Sequence, residues 1–168
     1  KGPFDASEAS TETGYVDLGS ILVRPTEGLQ LRLELEEATK RVVAVTMDLA
    51  GSSLQLQAFA APRSKGLWGE IRAQIAQSVA SQGGTVEEIE GSFGPELLAR
   101  LPADASGERR SYRAARFMGV DGPRWFLRGV IGGQAAESHE ASAALEDLFR
   151  HVVVDRGEST LPPRELLP

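Results

Sequence analysis

The chain has 168 residues, 41% of them hydrophobic, and a net charge of −6 from 18 basic and 24 acidic side chains. That length fits one domain around one sizeable core, and the acid excess argues against a general nucleic-acid binder, because phosphate affinity comes from clustered Lys and Arg. The absence of cysteine excludes disulfides, thiolate nucleophiles and zinc–thiolate sites and fits a reducing compartment. No apolar run approaches the roughly 20 residues of a membrane-spanning helix, and no signal-peptide pattern is visible.

Residues 1–13 are small, polar and acidic, with too little apolar area to offset the entropy of ordering. The sequence therefore predicts a disordered tail over 1–13, a single domain over 14–157 and a Pro-rich tail over 158–168. Val16, Leu18 and the Ile21-Leu22-Val23 run predict a first strand, broken by Pro25 and Gly28. Leu29, Leu31, Leu33 and Leu35 then alternate with Gln30, Arg32, Glu34 and Glu36, the period of a half-buried strand. A β-branched run over 42–49, the turn Gly51-Ser52-Ser53 and a run over 54–59 predict a hairpin. Gln55, Gln57 and Phe59 share one of its faces and Leu54, Leu56 and Ala58 the other.

Pro62 ends that hairpin. Ser64 is the expected N-cap of a helix that runs to about Gln82, where Gly83-Gly84 stops it. Leu67, Ile71, Ile75 and Val79 recur every four residues as an apolar stripe, with Trp68 beside it as a packing residue. Residues 85–90 read as a strand, 96–101 as either a strand or a short helix, and 102–110 as a loop.

The stretch from Tyr112 to Gly133 holds the densest aromatic cluster and reads as a hairpin turning at Val120-Asp121-Gly122-Pro123, because Asp-Gly tolerates the positive φ of a tight turn. That turn places Met118 opposite Trp125, Arg116 opposite Leu127, Ala114 opposite Gly129 and Tyr112 opposite Ile131. The second face carries Phe117 and Phe126, ringed by Arg113, Arg124 and Arg128. Ser138 is then the expected N-cap of a second helix with Ala141, Ala144, Leu145, Leu148, Phe149 and Val152 on one face, and 152–154 a short strand. The fold class is α+β: a mainly antiparallel sheet with two packed helices, in which 42–81 and 112–153 look like two hairpin–helix units.

No catalytic constellation stands out. His139 and His151 are twelve residues apart, too far along a helix for a close metal pair. The glycine pairs lack a phosphate-loop Lys-Ser/Thr, and no G-x-S-x-G elbow is present. Glu36-Glu37 and Glu87-Glu88 are adjacent and point to different faces of a strand or turn, and Asp121 is explained by turn formation. No catalytic residue, metal or cofactor is assigned.

The candidate binding residues are Arg113, Arg124, Phe126 and Arg128. Arg124 and Arg128, four apart on one strand with Phe126 between them, would grip a carboxylate, a phosphate or an acidic partner segment. The plainer alternative is that their stems cover Phe117 and Phe126. The sequence reading is a non-enzymatic binding or adaptor module for a protein partner or small anionic ligand. The alternative is an enzyme acting on a small anionic substrate through an arginine clamp, which requires a general base that the sequence does not locate. A third role joins exposed sheet edges of two copies.

Leu56-Gln57-Ala58-Phe59-Ala60-Ala61-Pro62, Trp68-Gly69-Glu70-Ile71-Arg72, Gln82-Gly83-Gly84-Thr85-Val86 and above all Gly119-Val120-Asp121-Gly122-Pro123-Arg124-Trp125-Phe126-Leu127-Arg128-Gly129 resemble an actinobacterial family of unknown function, over Val16 to about Pro163. The resemblance implies a bacterial, cytoplasmic protein and brings no catalytic residues with it. The paired strands and closing helix are also similar to PsbP-like domains, a likeness of fold alone.

Overall fold

The computed structural model describes residues 3–5, 15–18, 21–24, 26–35, 42–49, 51–61, 66–91, 93–102, 112–122, 124–132 and 139–155. Period-two alternation dominates them and builds two sheets. The strands in chain order are β1 (Phe4–Asp5), β2 (Val16–Asp17), β3 (Ile21–Val23), β4 (Gln30–Leu35), β5 (Val42–Leu49) and β6 (Ser52–Ala60). After helix α1 (Trp68–Ser81) follow β7 (Thr85–Gly91), β8 (Gly94–Pro102), β9 (Tyr112–Gly122) and β10 (Trp125–Gly132), then helix α2 (His139–Arg150) and β11 (Val153–Val154). The ambiguous 96–101 stretch is thus strand.

The large sheet is antiparallel, in the order β4-β5-β6-β10-β9-β8-β7. Both predicted hairpin–helix units are present, β5-β6-α1 and β9-β10-α2, and they meet where β6 pairs with β10. The small sheet has the order β1-β11-β3-β2. It corrects two expectations. Phe4–Asp5, assigned to a tail, pair in parallel with Val153–Val154, and the first predicted strand divides into β2 and β3, which pair with each other. Local composition did not reveal this, because the partners of Phe4 lie at the opposite end of the chain. Asp5 is further held by the Trp125 indole N–H, which donates to its Oδ1 at 2.7 Å.

The central hairpin forms with a different register. Met118 pairs with Gly129 instead of Trp125, a displacement of four residues, and Trp125 pairs with Gly122. Asp121 and Gly122 therefore belong to β9, and the connection includes Arg124, whose φ of 64° lies in the left-handed region. An even displacement keeps the described side chains that remain on the two strands on the faces predicted for them. Met118, Trp125, Leu127 and Ile131 accordingly share the core face with Leu54, Leu56 and Ala58.

That face is covered by Leu145, Leu148 and Phe149 of α2 together with Ile21, Val23 and Val154 of the small sheet. Each fully buried large side chain of this kind contributes ~1.5–3 kcal/mol. Gly129 permits the approach of α2, since a Cβ there would lie 2.8 Å from the Phe149 ring. Within α2 the buried stripe runs through Ser142, Leu145, Leu148 and Phe149, whereas Ala144, expected on the stripe, is exposed. Ser138 and the loop expected over 102–110, save Pro102, which ends β8, lie outside the described residues, as does the Pro-rich end.

Helix α1 packs on the opposite face, so one helix covers each side of the sheet. It begins at Trp68; Ser64 lies outside the described residues, and Leu67 at the N-cap offers no side-chain cap. The cap comes from across the fold: the Asp121 carboxylate accepts from the backbone N–H of Leu67 at 2.7 Å and of Trp68 at 3.2 Å. This satisfies helix-terminal donors and sets a negative charge against the positive end of the helix. Asp121 is thus a tertiary cap, where the sequence suggested only a turn former.

Candidate functional site

Helix α1 lies along β7, β8 and β9 and reaches β10 through Trp68, whose ring stacks on Phe126 with centroids 5.7 Å apart. Gly119 makes this approach possible; a Cβ there would lie 2.3 Å from the Trp68 ring. The Trp68 indole N–H donates to the Pro95 carbonyl at 2.7 Å, fixing the ring. Beyond this packed end the sheet face opens into a groove of about 620 Å³, lined by Arg32, Thr46, Gln55, Phe117, Arg128 and Val130 among others. A smaller concavity of about 190 Å³ runs under α1, between Phe59, Leu67, Ile71, Gln74, Phe126 and Arg128.

Arg128 lines both. It projects from β10 directly opposite Gln57 of β6, donates from Nη2 to the Gln57 side-chain oxygen, and sets its guanidinium 5.9 Å from the centre of the Phe59 ring. Burial pulls its pKa below the ordinary guanidinium value, because the charged form has lost solvation. Among the described residues no carboxylate pairs with it. A neutral amide and a ring face hold the cation, which leaves the remaining donors of its fork for an incoming acceptor.

The described side chains among the predicted site residues, Arg124, Phe126 and Arg128, occupy different settings. Phe126 has no exposed surface and lies between Phe59 and Trp68, so its ring is core. Arg124 sits in the turn instead of on the strand, and its carbonyl accepts from the Ala61 N–H at 2.9 Å. The backbone of Arg113, in β9, pairs with Leu101 of β8; its side chain lies outside the described ones. Of the three whose side chains are described, Arg128 alone lines the groove. The pair Gln55 and Gln57, which strand alternation leaves open between lining a binding surface and standing in solvent, contributes to the site because β6 is the neighbour of β10. That adjacency has no local signal.

Arg32 closes the groove on β4, where Nε donates to Asp48 Oδ2 at 2.5 Å and Nη2 to Oδ1 at 3.1 Å. This bond raises its pKa, the attraction of the Asp48 charge adding to it.

A second polar cluster lies on the other side of the sheet. Arg116, 2% exposed, stands between Glu96 of β8 at 3.4 Å and Glu146 of α2 at 2.7 Å, and Ser142 donates to the same Glu146 oxygen. One buried cation thus ties the hairpin to α2. The sequence signal was an arginine on an otherwise apolar strand face; its partners come from two other elements. His151, also on the α2 side, has Nδ1 2.8 Å from the Asp147 carbonyl and faces away from the groove. Among the described residues no group of His, Cys, Asp and Glu is arranged to hold a metal ion, and no described helix is long and apolar enough to cross a membrane.

The family model described as Protein of unknown function (DUF3710) matches residues 2–168. Neither a curated protein nor a solved structure matches the chain.

Proposed function

The chain belongs to this family of unknown function, and from that premise we propose that it is a non-enzymatic binding or adaptor module whose open sheet face captures an acidic segment of a partner protein. The observation that carries this reading is Arg128: a largely desolvated guanidinium on a concave face, held by Gln57 and Phe59 with no carboxylate partner among the described residues. Maintaining a charge in such a place costs desolvation free energy, and an arriving carboxylate or phosphate offsets it through a charge-assisted bond. The groove crosses from β8 to β4 and is open, which suits an extended segment. Arg113 and Arg124 are proposed to flank it, and Phe126 supports it from within the core.

The described lining also favours binding over catalysis by an arginine clamp. Its carboxylate, Glu34, stands exposed on the outermost strand, far from a deep cleft in which a general base would be held. Actinobacterial origin and a cytoplasmic setting rest on the resemblance of the hairpin motif.

The test is fluorescence polarisation against a panel of extended acidic and phosphorylated peptides. Hydrogen bonds to charged groups are worth ~1.5–3 kcal/mol, so Arg128→Ala should weaken binding roughly 10- to 100-fold. Arg128→Lys should recover only part, because an ammonium lacks the fork. Equal affinity of Arg128→Ala and wild type, or failure of wild type to bind any acidic probe, overturns the reading.

A further inference from the structure

Strands β4 and β7 form the two edges of the large sheet, and their sequences treat an approaching strand in opposite ways. β7 carries Glu87, Glu88 and Glu90, so antiparallel self-pairing centred anywhere from 87 to 89 sets acid against acid. Like charges directly opposite one another destabilise a strand pair. Helix α1 also lies beside β7, with Arg72 3.7 Å from Glu88. That edge is guarded.

β4, Gln-Leu-Arg-Leu-Glu-Leu, is not. Leu33 and Leu35 are 45% and 49% exposed, among the largest apolar exposures of the described residues. Its charges are also self-complementary. Antiparallel pairing of two copies about Leu33 places Leu33 on Leu33, Leu31 on Leu35, and Arg32 on Glu34 in both directions. Centring the pairing one residue earlier sets Arg32 on itself; one residue later sets Glu34 on itself. Among registers that keep the two open faces on one side of the sheet, the Leu33-centred one alone satisfies both charges. Asp48 occupies Nε and Nη2 of Arg32, leaving Nη1 for the second copy, and Glu34 has no ion-pair partner among the described residues.

We propose that two copies of this chain associate through β4 edges, antiparallel about Leu33, to form one continuous sheet with two-fold symmetry. The pairing satisfies the outward backbone donors and acceptors of the edge, covers the exposed leucines, and is isologous, so it closes as a dimer. Because Arg32 and Glu34 line each groove, the two open faces meet at the axis. The inference is independent of which ligand the groove takes.

Sedimentation velocity from micromolar concentration to the solubility limit should show a reversible dimer. Arg32→Glu and Glu34→Arg should each raise the dimer dissociation constant at least tenfold, by placing like charges opposite. Mixing these two variants should restore association, since each then supplies the charge that the other lacks, and R32E/E34R should dimerise as wild type does. Thermal melts check folding. If Arg32→Glu fails to fold because its acid faces Asp48, Glu34→Arg and Leu33→Lys report on the same edge. A wild type that stays monomeric at every concentration, or a dimer unmoved by the folded edge variants, overturns the proposal.

Discussion

Asp121 offers the sharpest separation between local and tertiary roles. If it serves only the hairpin turn, Asn and Gly are equivalent or better there, since both tolerate turn conformations. If it caps α1, the acceptor and its charge both matter. Leu67 supplies no side-chain cap, and the Asp121 carboxylate receives two N–H groups of the first turn. Loss of such a cap costs ~0.5–2 kcal/mol, and loss of a negative charge at a helix N-terminus a further ~0.3–1. Asp121→Ala should therefore destabilise by about 1–3 kcal/mol, with Asp121→Gly similar. Asp121→Asn retains a neutral acceptor and should lose only the charge contribution, about 0.3–1 kcal/mol. Urea melts measure each value, with an unchanged m-value confirming that the same surface unfolds. Gly66→Ala gives an independent check, because its Cβ would lie 2.6 Å from Asp121 Oδ2 and push the carboxylate aside. Should Asn and Gly at 121 both prove neutral, the capping argument fails and the turn explanation stands.

Trp125→Ala removes a ring 1% exposed from the main core and should cost ~3–5 kcal/mol in the same melts. Trp125→Phe, which keeps most of the bulk but gives up the bond to Asp5, should cost about 1 kcal/mol. Arg116→Ala takes away the cation shared by Glu96 and Glu146 and should destabilise by ~3–5 kcal/mol. Arg116→Lys should fall between it and wild type, because an ammonium cannot span both carboxylates as the fork does; equal stability of all three proteins would remove the cluster from any account of how α2 is held.

Alternation of side chains by itself determined β4, β6, β9 and β10 and which face of each is apolar. The hairpin demonstrates why: its register differs by four residues from the one that Asp121-Gly122 suggests, yet Trp125, Leu127 and Met118 remain in the core, because an even shift preserves the face. The stripe of α1 was equally legible, since a helix repeats its own neighbours every three or four residues. Four features were decided only by tertiary structure. Arg124 left the strand when the turn moved, Gln57 met Arg128 when β6 became the neighbour of β10, and Glu96, Arg116 and Glu146 converged from β8, β9 and α2. Phe4 finding Val153 across the whole chain belongs with them. Each depends on contacts between segments distant in sequence, where side-chain period carries no information. Local pattern specifies which way a residue points, and only the order of strands specifies what it points at.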